Sequence, residues 1–139
     1  MERDVEAEAD SVNLRLPFHA PAASQVRSEL RAWLSQKGFE GETVDDARVV
    51  VSELVGNSVR HAVPLPVNDL VVSWAVDDGD LVISVSDGGS PSSSPHIVAA
   101  PGSAISGRGL SIVEALVERW WVEDDRGRTT VHVRIPLED

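Results

Sequence analysis

Between Thr43 and Pro64 the apolar and small residues recur at helical spacing, and a helix with one committed apolar face demands a second layer to pack against. At about 100° per residue, Ala47, Val50, Val51, Leu54, Val55, Ser58 and Ala62 fall in one sector, which is read as the core face. Glu53, Asn57, Arg60 and His61 occupy the neighbouring sector, at the rim where the helix leaves the core and a ligand can reach it. Within Glu53-Leu54-Val55-Gly56-Asn57-Ser58-Val59-Arg60-His61, a carboxylate, a carboxamide and an imidazole follow one another turn by turn.

Carboxylate and amide oxygens suit a hard cation such as Mg2+, which keeps several waters and is commonly shared with a substrate's phosphates. The row therefore has the makings of a metal-nucleotide site. The same residues are also ordinary in a helix, since Glu is a good helix former and His near a C-terminus is favoured by the dipole; only mid-helix Asn is mildly disfavoured. The row alone leaves both readings open.

A chain of 139 residues can bury one substantial core and is short for two ordinary domains, so a single domain over 12–139 is expected. Residues 1–11 are acidic and poor in apolar side chains, and read as a flexible tail. No apolar run has the length of a membrane helix, and the acidic start lacks the basic and apolar regions of a signal peptide. A soluble cytoplasmic protein with no membrane partner is expected.

The absence of cysteine excludes disulfides, thiolate metal sites and cysteine nucleophiles. His19, His61, His96 and His132 are scattered without the spacing of a zinc site. A formal net charge of -11 argues against direct nucleic-acid binding through a general basic surface and points to a protein partner or a small ligand. A nucleotide remains compatible with that charge, because backbone N–H groups, a helix N-terminus and a metal bind phosphate locally.

Along the chain, Val12 to Leu16 alternates like a strand and stops at Pro17. Ala23 to Gln36 has apolar residues at helical spacing and meets Gly38. The central helix is expected over about Val44 to Ala62, with Thr43 as its N-cap and Pro64 and Pro66 beyond its end. Leu70 to Val76 and Leu81 to Asp87 read as strands of an antiparallel hairpin joined by Asp77-Asp78-Gly79-Asp80.

Gly88 to Ser106 is rich in Gly, Pro, Ser and Ala, without periodicity, and reads as a long surface loop of the kind that covers ligands. A helix over about 109–117 and strands near 120–123 and 129–135 follow. Trp120 and Trp121 are adjacent, so on a strand they face opposite sides. One is expected in the core; the other is a candidate contact for a partner or a second copy in a homodimer, or is covered by its neighbours.

Two further constellations carry chemistry. Asp87 continues the apolar phase of Leu81, Ile83 and Val85, which turns a carboxylate toward the core side, where a ligand's N–H donors would match it. Alternatively Asp87-Gly88-Gly89 is a plain turn. Gly107-Arg108-Gly109-Leu110 stands between the long loop and a helix, where glycines permit close backbone approach and a helix N-terminus can receive phosphate. That segment is also compatible with an ordinary loop-to-helix junction.

The order Glu53-x-x-x-Asn57 on a helix, Asp87-x-Gly89 after a strand and Gly107-x-Gly109 before a helix resembles the GHKL ATPase superfamily, and most of all its bacterial anti-sigma factor serine kinases. Val51 to Ala62 and Gly107 to Val113 resemble that family's N box and second glycine box, and the likeness spans about Leu14 to Pro136. It implies an α+β, Bergerat-type two-layer sandwich: a mixed, mostly antiparallel sheet covered on one face by helices, with ATP held between the layers under a lid at about 88–106.

By the same resemblance Asn57 ligates Mg2+, Glu53 is the general base and Asp87 takes the adenine amino group. Gly89, Gly107, Arg108, Gly109 and Leu110 surround the nucleotide. Thr129, in phase with Val131, Val133 and Ile135, matches the last-strand threonine better than Thr130 does. The implied partners are a sigma factor, bound directly, and a small anti-anti-sigma protein of the STAS type, phosphorylated on serine or threonine. A complete sensor histidine kinase is not expected, for want of dimerisation helices. The other reading is a non-catalytic module that holds a regulator and uses ATP as a structural ligand or not at all.

Overall fold

The computed structural model describes residues 11–89 and 111–137. In chain order these form β1 (Ser11–Pro17), α1 (Pro21–Gln36), α2 (Glu42–His61), β2 (Asp69–Asp77), β3 (Asp80–Asp87), α3 (Ser111–Leu116), β4 (Arg119–Asp125) and β5 (Arg128–Pro136). The strands make one open sheet in the order β1-β2-β3-β5-β4. Its pairings are antiparallel throughout the described residues.

Alternation along each strand gives the sheet two unlike faces. Val12, Leu14 and Leu16 of β1, Leu70, Val72 and Trp74 of β2, Leu81, Ile83 and Val85 of β3, and Val133 and Ile135 of β5 are buried on one of them. Against them lie Ala22, Val26, Leu30 and Leu34 of α1 and Val44, Ala47, Val50, Val51, Leu54 and Val55 of α2. Each fully buried Leu, Ile or Val contributes about 1.5–3 kcal/mol relative to an exposed one, so this two-layer contact is what holds the domain together. Trp33 of α1 meets Trp74 edge to face, with ring centroids 6.3 Å apart, and ties the helix layer to β2.

Local chemistry sets the element ends. At the end of α1, Gly38 N–H donates to Ser35 O and Phe39 N–H to Leu34 O, both at 3.0 Å, closing the helix with a Schellman motif as Phe39 packs on the core. The two-residue turn between β2 and β3 has positive φ at both Asp78 (55°) and Gly79 (82°), which matches the twist of the flanking strands. Gly79 is the residue that takes such a φ at no steric cost.

The start of α2 differs from expectation. Its N-cap is Gly41, at φ 84°, and Thr43 is already inside the helix with no capping role. The Gly41 carbonyl accepts from Val44 N and Asp45 N, both at 3.1 Å, so the turn at the glycine starts the helix earlier than a hydroxyl cap at Thr43 would. At the other end the last helical residue is His61, and Ala62 is half-buried in extended conformation rather than a core residue. β1 likewise begins one residue before Val12, with Ser11 paired to Ala75.

The outer face is polar. Ser84 Oγ lies 2.7 Å from His132 Nδ1, His132 Nε2 lies 2.8 Å from Glu123 Oε1, and Ser86 Oγ lies 2.7 Å from Thr130 Oγ1. Trp120 packs against the core while Trp121 stacks on His132 on this outer side, with centroids 5.0 Å apart and the Arg119 guanidinium 4.6 Å above its ring. Both tryptophans are half-buried, so neighbouring side chains cover Trp121. Among the described residues no helix is long and apolar enough to cross a membrane.

Candidate functional site

The site lies where the C-terminal half of α2 passes the end of β3 and the start of β5. β3 brings Asp87 to its last position and, in register, opposite Thr129 of β5. The alternation that buries Leu81, Ile83 and Val85 also turns Asp87 inward, leaving it 7% exposed. An inward carboxylate needs donors. Ser58 of α2 supplies one, with Oγ donating to Asp87 Oδ2 at 2.5 Å, and the backbone N–H of Gly89 supplies the other, donating to Oδ1 at 2.8 Å.

Burial pushes the Asp87 carboxyl above its ordinary value, and the bonds from Ser58 and Gly89 act against that rise. The result is an inward-facing carboxylate gripped at each oxygen. Each oxygen keeps acceptor capacity beyond its one bond, so the group can still receive an N–H donor.

Gly89 sits at φ 93°, and a Cβ built on it would lie 3.1 Å from Thr129 Oγ1. Thr129 is therefore beside the Asp87–Gly89 segment and Thr130, bonded to Ser86, belongs to the outer face. The neighbouring Gly88 is tighter still. A Cβ there would fall 2.4 Å from Pro64 O and 2.9 Å from Val63 Cγ2. Gly88 N–H donates to Val63 O at 2.7 Å and Val63 N–H donates to Gly89 O at 2.9 Å, which clamps the chain leaving α2 to the chain leaving β3.

On α2, Glu53 and Asn57 are both half-buried at the rim, one turn apart, and His61 at the helix end is exposed. Asn57 Oδ1 is buried and has no hydrogen-bond partner among the described residues. A buried, unsatisfied amide oxygen costs about 1–3 kcal/mol, which a bound hydrogen-bond donor or a cation would relieve; as an oxygen ligand it fits Mg2+ in kind. Arg60 lies back over Gly56, its Nη1 3.2 Å from where a Cβ would stand.

Sequence reasoning thus placed Asp87, Gly89 and Thr129 in what proves one neighbourhood, with Asn57 adjoining Ser58 on the helix that meets it. Gly107, Arg108, Gly109 and Leu110, and the loop from Ser90 to Ser106, lie outside the described residues. It passed over Ser58, read only as part of the core face, and over Gly88 and Val63. A hydroxyl in a row of Val and Leu was the available signal for Ser58.

The sequence profile of the histidine kinase-like ATPase domain matches residues 16–135, nearly the whole described fold. The chain belongs to this family of ATPase domains. Its family relatives include a protein named serine-protein kinase RsbW in Listeria monocytogenes, 29% identical over 133 residues that cover 88% of this chain and 85% of the relative. A Bacillus thuringiensis protein of the same name is 20% identical over 132 residues, covering 88% and 82%.

The fold of this ATPase domain also matches a crystal structure of the RsbU and RsbW domains of Rv1364c from Mycobacterium tuberculosis, with a TM-score of 0.72 and 28% identity. The match covers 95% of this chain and 34% of that longer one. The Bergerat-type two-layer sandwich expected from the motifs is the fold observed, with antiparallel pairing throughout the described strands where a mixed, mostly antiparallel sheet was expected.

Proposed function

We propose that this chain is an ATP-binding regulatory protein that acts as an anti-sigma factor with serine/threonine kinase activity toward a small STAS-type anti-anti-sigma partner. The observation that carries the reading is the pairing, within an ATPase-family fold, of two groups that want a ligand. One is the clamped inward carboxylate of Asp87, and the other is the unsatisfied buried oxygen of Asn57. The relatives named as serine-protein kinases, matched over most of their length, support the kinase class.

In this reading Asp87 accepts the adenine amino group, with Thr129 beside it and Gly89 leaving room for the base. Asn57 holds Mg2+, which when bound neutralises charge on the phosphates. Gly107, Arg108, Gly109 and Leu110 surround the phosphates ahead of α3. Glu53, one turn before Asn57, takes the proton from the partner's serine or threonine hydroxyl as its oxygen attacks the γ-phosphorus and ADP leaves. Positioning supplies most of the rate in such transfers.

A second reading, a regulator-binding module that uses ATP structurally or not at all, rests on glutamate being a routine helix residue and on Glu53 making no hydrogen bond or ion pair among the described residues. Calorimetric titration with ATP, with and without Mg2+, beside Asn57→Ala and Asp87→Ala tests the site. Transfer of radiolabelled phosphate to STAS-type proteins beside Glu53→Gln tests the chemistry. The kinase reading expects Glu53→Gln to bind ATP and sigma factor yet transfer nothing. Absence of ATP binding at millimolar nucleotide overturns it, and phosphate transfer undiminished in Glu53→Gln removes Glu53 as the base.

A further inference from the structure

Asp87 is oriented by a residue that is neither on its own strand nor in the loop after it. The Ser58 hydroxyl reaches across from α2, 29 positions away in sequence, and is itself 7% exposed, so the bond to Oδ2 is shielded from water. The Gly89 N–H, two residues along the chain, holds the other oxygen, Oδ1, at 2.8 Å. With one donor at each oxygen, rotation of the carboxylate about its last torsion would break a bond at both ends. A single donor would leave it free to turn.

We propose that Ser58 is a positioning residue for base recognition: its hydroxyl locks the Asp87 carboxylate in the one rotation that presents a free acceptor position to the exocyclic amino group of a 6-aminopurine nucleotide. This rests on the reading in which Asp87 receives that amino group. Its physical content is that a buried acceptor gains selectivity when its direction is fixed before the ligand arrives, because no ordering remains to oppose binding.

Ser58 also explains a local exception in α2. The inward face runs Ala47, Val50, Val51, Leu54 and Val55, all apolar, and then places a hydroxyl where a further apolar side chain would bury more area. Ser is weaker than Ala as a helix former, so the helix itself gains nothing from it. The gain is at Asp87, which would otherwise keep an unbonded oxygen inside the fold.

Comparing two nucleotides tests this without dependence on the metal. ADP and purine riboside diphosphate, which has hydrogen in place of the 6-amino group, are titrated against the full chain in the absence of Mg2+. Wild type is expected to prefer ADP by roughly ten- to a hundredfold, the range of a hydrogen bond to a charged group. Ser58→Ala should lose most of that preference, through weaker ADP binding, while keeping the affinity for the analogue. Ser58→Thr, which restores the hydroxyl, should recover it.

Thermal unfolding of each variant identifies any that fails to fold, and Ser58→Ala removes a single oxygen from a helix position that suits alanine. If Ser58→Ala prefers ADP as strongly as wild type does, or loses both nucleotides equally, the inference is overturned. Should wild type and Asp87→Asn alike show no preference, the assignment of Asp87 to the base fails, and this inference with it. A preference in wild type that Asp87→Asn lacks and Ser58→Ala keeps overturns the role of Ser58 alone.

Discussion

Gly88 donates its backbone N–H to the carbonyl of Val63 at 2.7 Å, so the exit of β3 is fastened to the exit of α2 at the point where the candidate base site begins. The approach is close enough that a Cβ at Gly88 would stand 2.4 Å from Pro64 O, a backbone atom that cannot swing aside. Gly88→Ala should therefore force the two segments apart. We expect a loss of about 1–3 kcal/mol, the usual cost of overpacking, together with weaker ATP binding, because Asp87 and Gly89 flank the displaced residue. Urea unfolding and nucleotide titration of the same preparation check both. A variant as stable as wild type would show that the clamp yields freely.

Asn57 offers the opposite balance. Its Oδ1 is buried without a partner among the described residues, and asparagine is a poorer helix former than alanine. Asn57→Ala should leave the fold unharmed or stabilise it by about 0.5–1 kcal/mol, while abolishing the dependence of ATP affinity on Mg2+. A residue that improves stability when removed but costs ligand binding is kept for the ligand. Destabilisation by Asn57→Ala, with Mg2+ dependence intact, would instead make Asn57 a packing residue.

Trp121 and His132 stack at 5.0 Å with their planes 17° apart, and the Arg119 guanidinium lies 4.6 Å from the centroid of the indole. On the same face Glu123 Oε1 of the edge strand β4 lies 2.8 Å from His132 Nε2. A double-mutant cycle between Trp121→Ala and His132→Ala should give a coupling of about 0.5–1.5 kcal/mol, as for other aromatic pairs. Additive effects in urea unfolding would mean that the stack contributes no more than the area each ring buries.

What was legible in the sequence was periodic, and what was not is tertiary. Ala47 to Ser58 repeats every helical turn, and Leu81, Ile83, Val85 and Asp87 alternate, so the core faces of α2 and β3 followed from spacing alone. The inward turn of Asp87 followed from the same phase. The partner of that carboxylate did not, because the Ser58 bond joins two elements whose relative placement no local pattern encodes. Gly88 was hidden for the same reason, as its constraint comes from Val63 and Pro64. Thr43 misled because its hydroxyl is a favourable cap by type, whereas the helix starts at Gly41 through a backbone conformation, φ 84°, that no side-chain preference signals.

The buried carboxylate leaves a signature in the pH dependence of stability. Burial raises the Asp87 pKa above the ordinary 3.8, so the folded state prefers the protonated form more than the unfolded chain does. The sign follows from linkage. Asp87 contributes stability that is fully present below 3.8 and is lost as pH rises through the elevated folded value, above which the charged group carries its burial cost in full. Asp87→Asn is neutral at every pH, and its altered hydrogen bonding to Ser58 and Gly89 adds an offset that does not vary with pH. The unfolding free energy of wild type minus that of Asp87→Asn should therefore fall as pH rises above 3.8, and level off once pH has passed the elevated folded value. Chemical unfolding of both proteins across that window measures the slope. A flat difference would mean that Ser58 and Gly89 fully offset the cost of burial, and a rising one that Asp87 is held as a stabilising anion before any ligand binds.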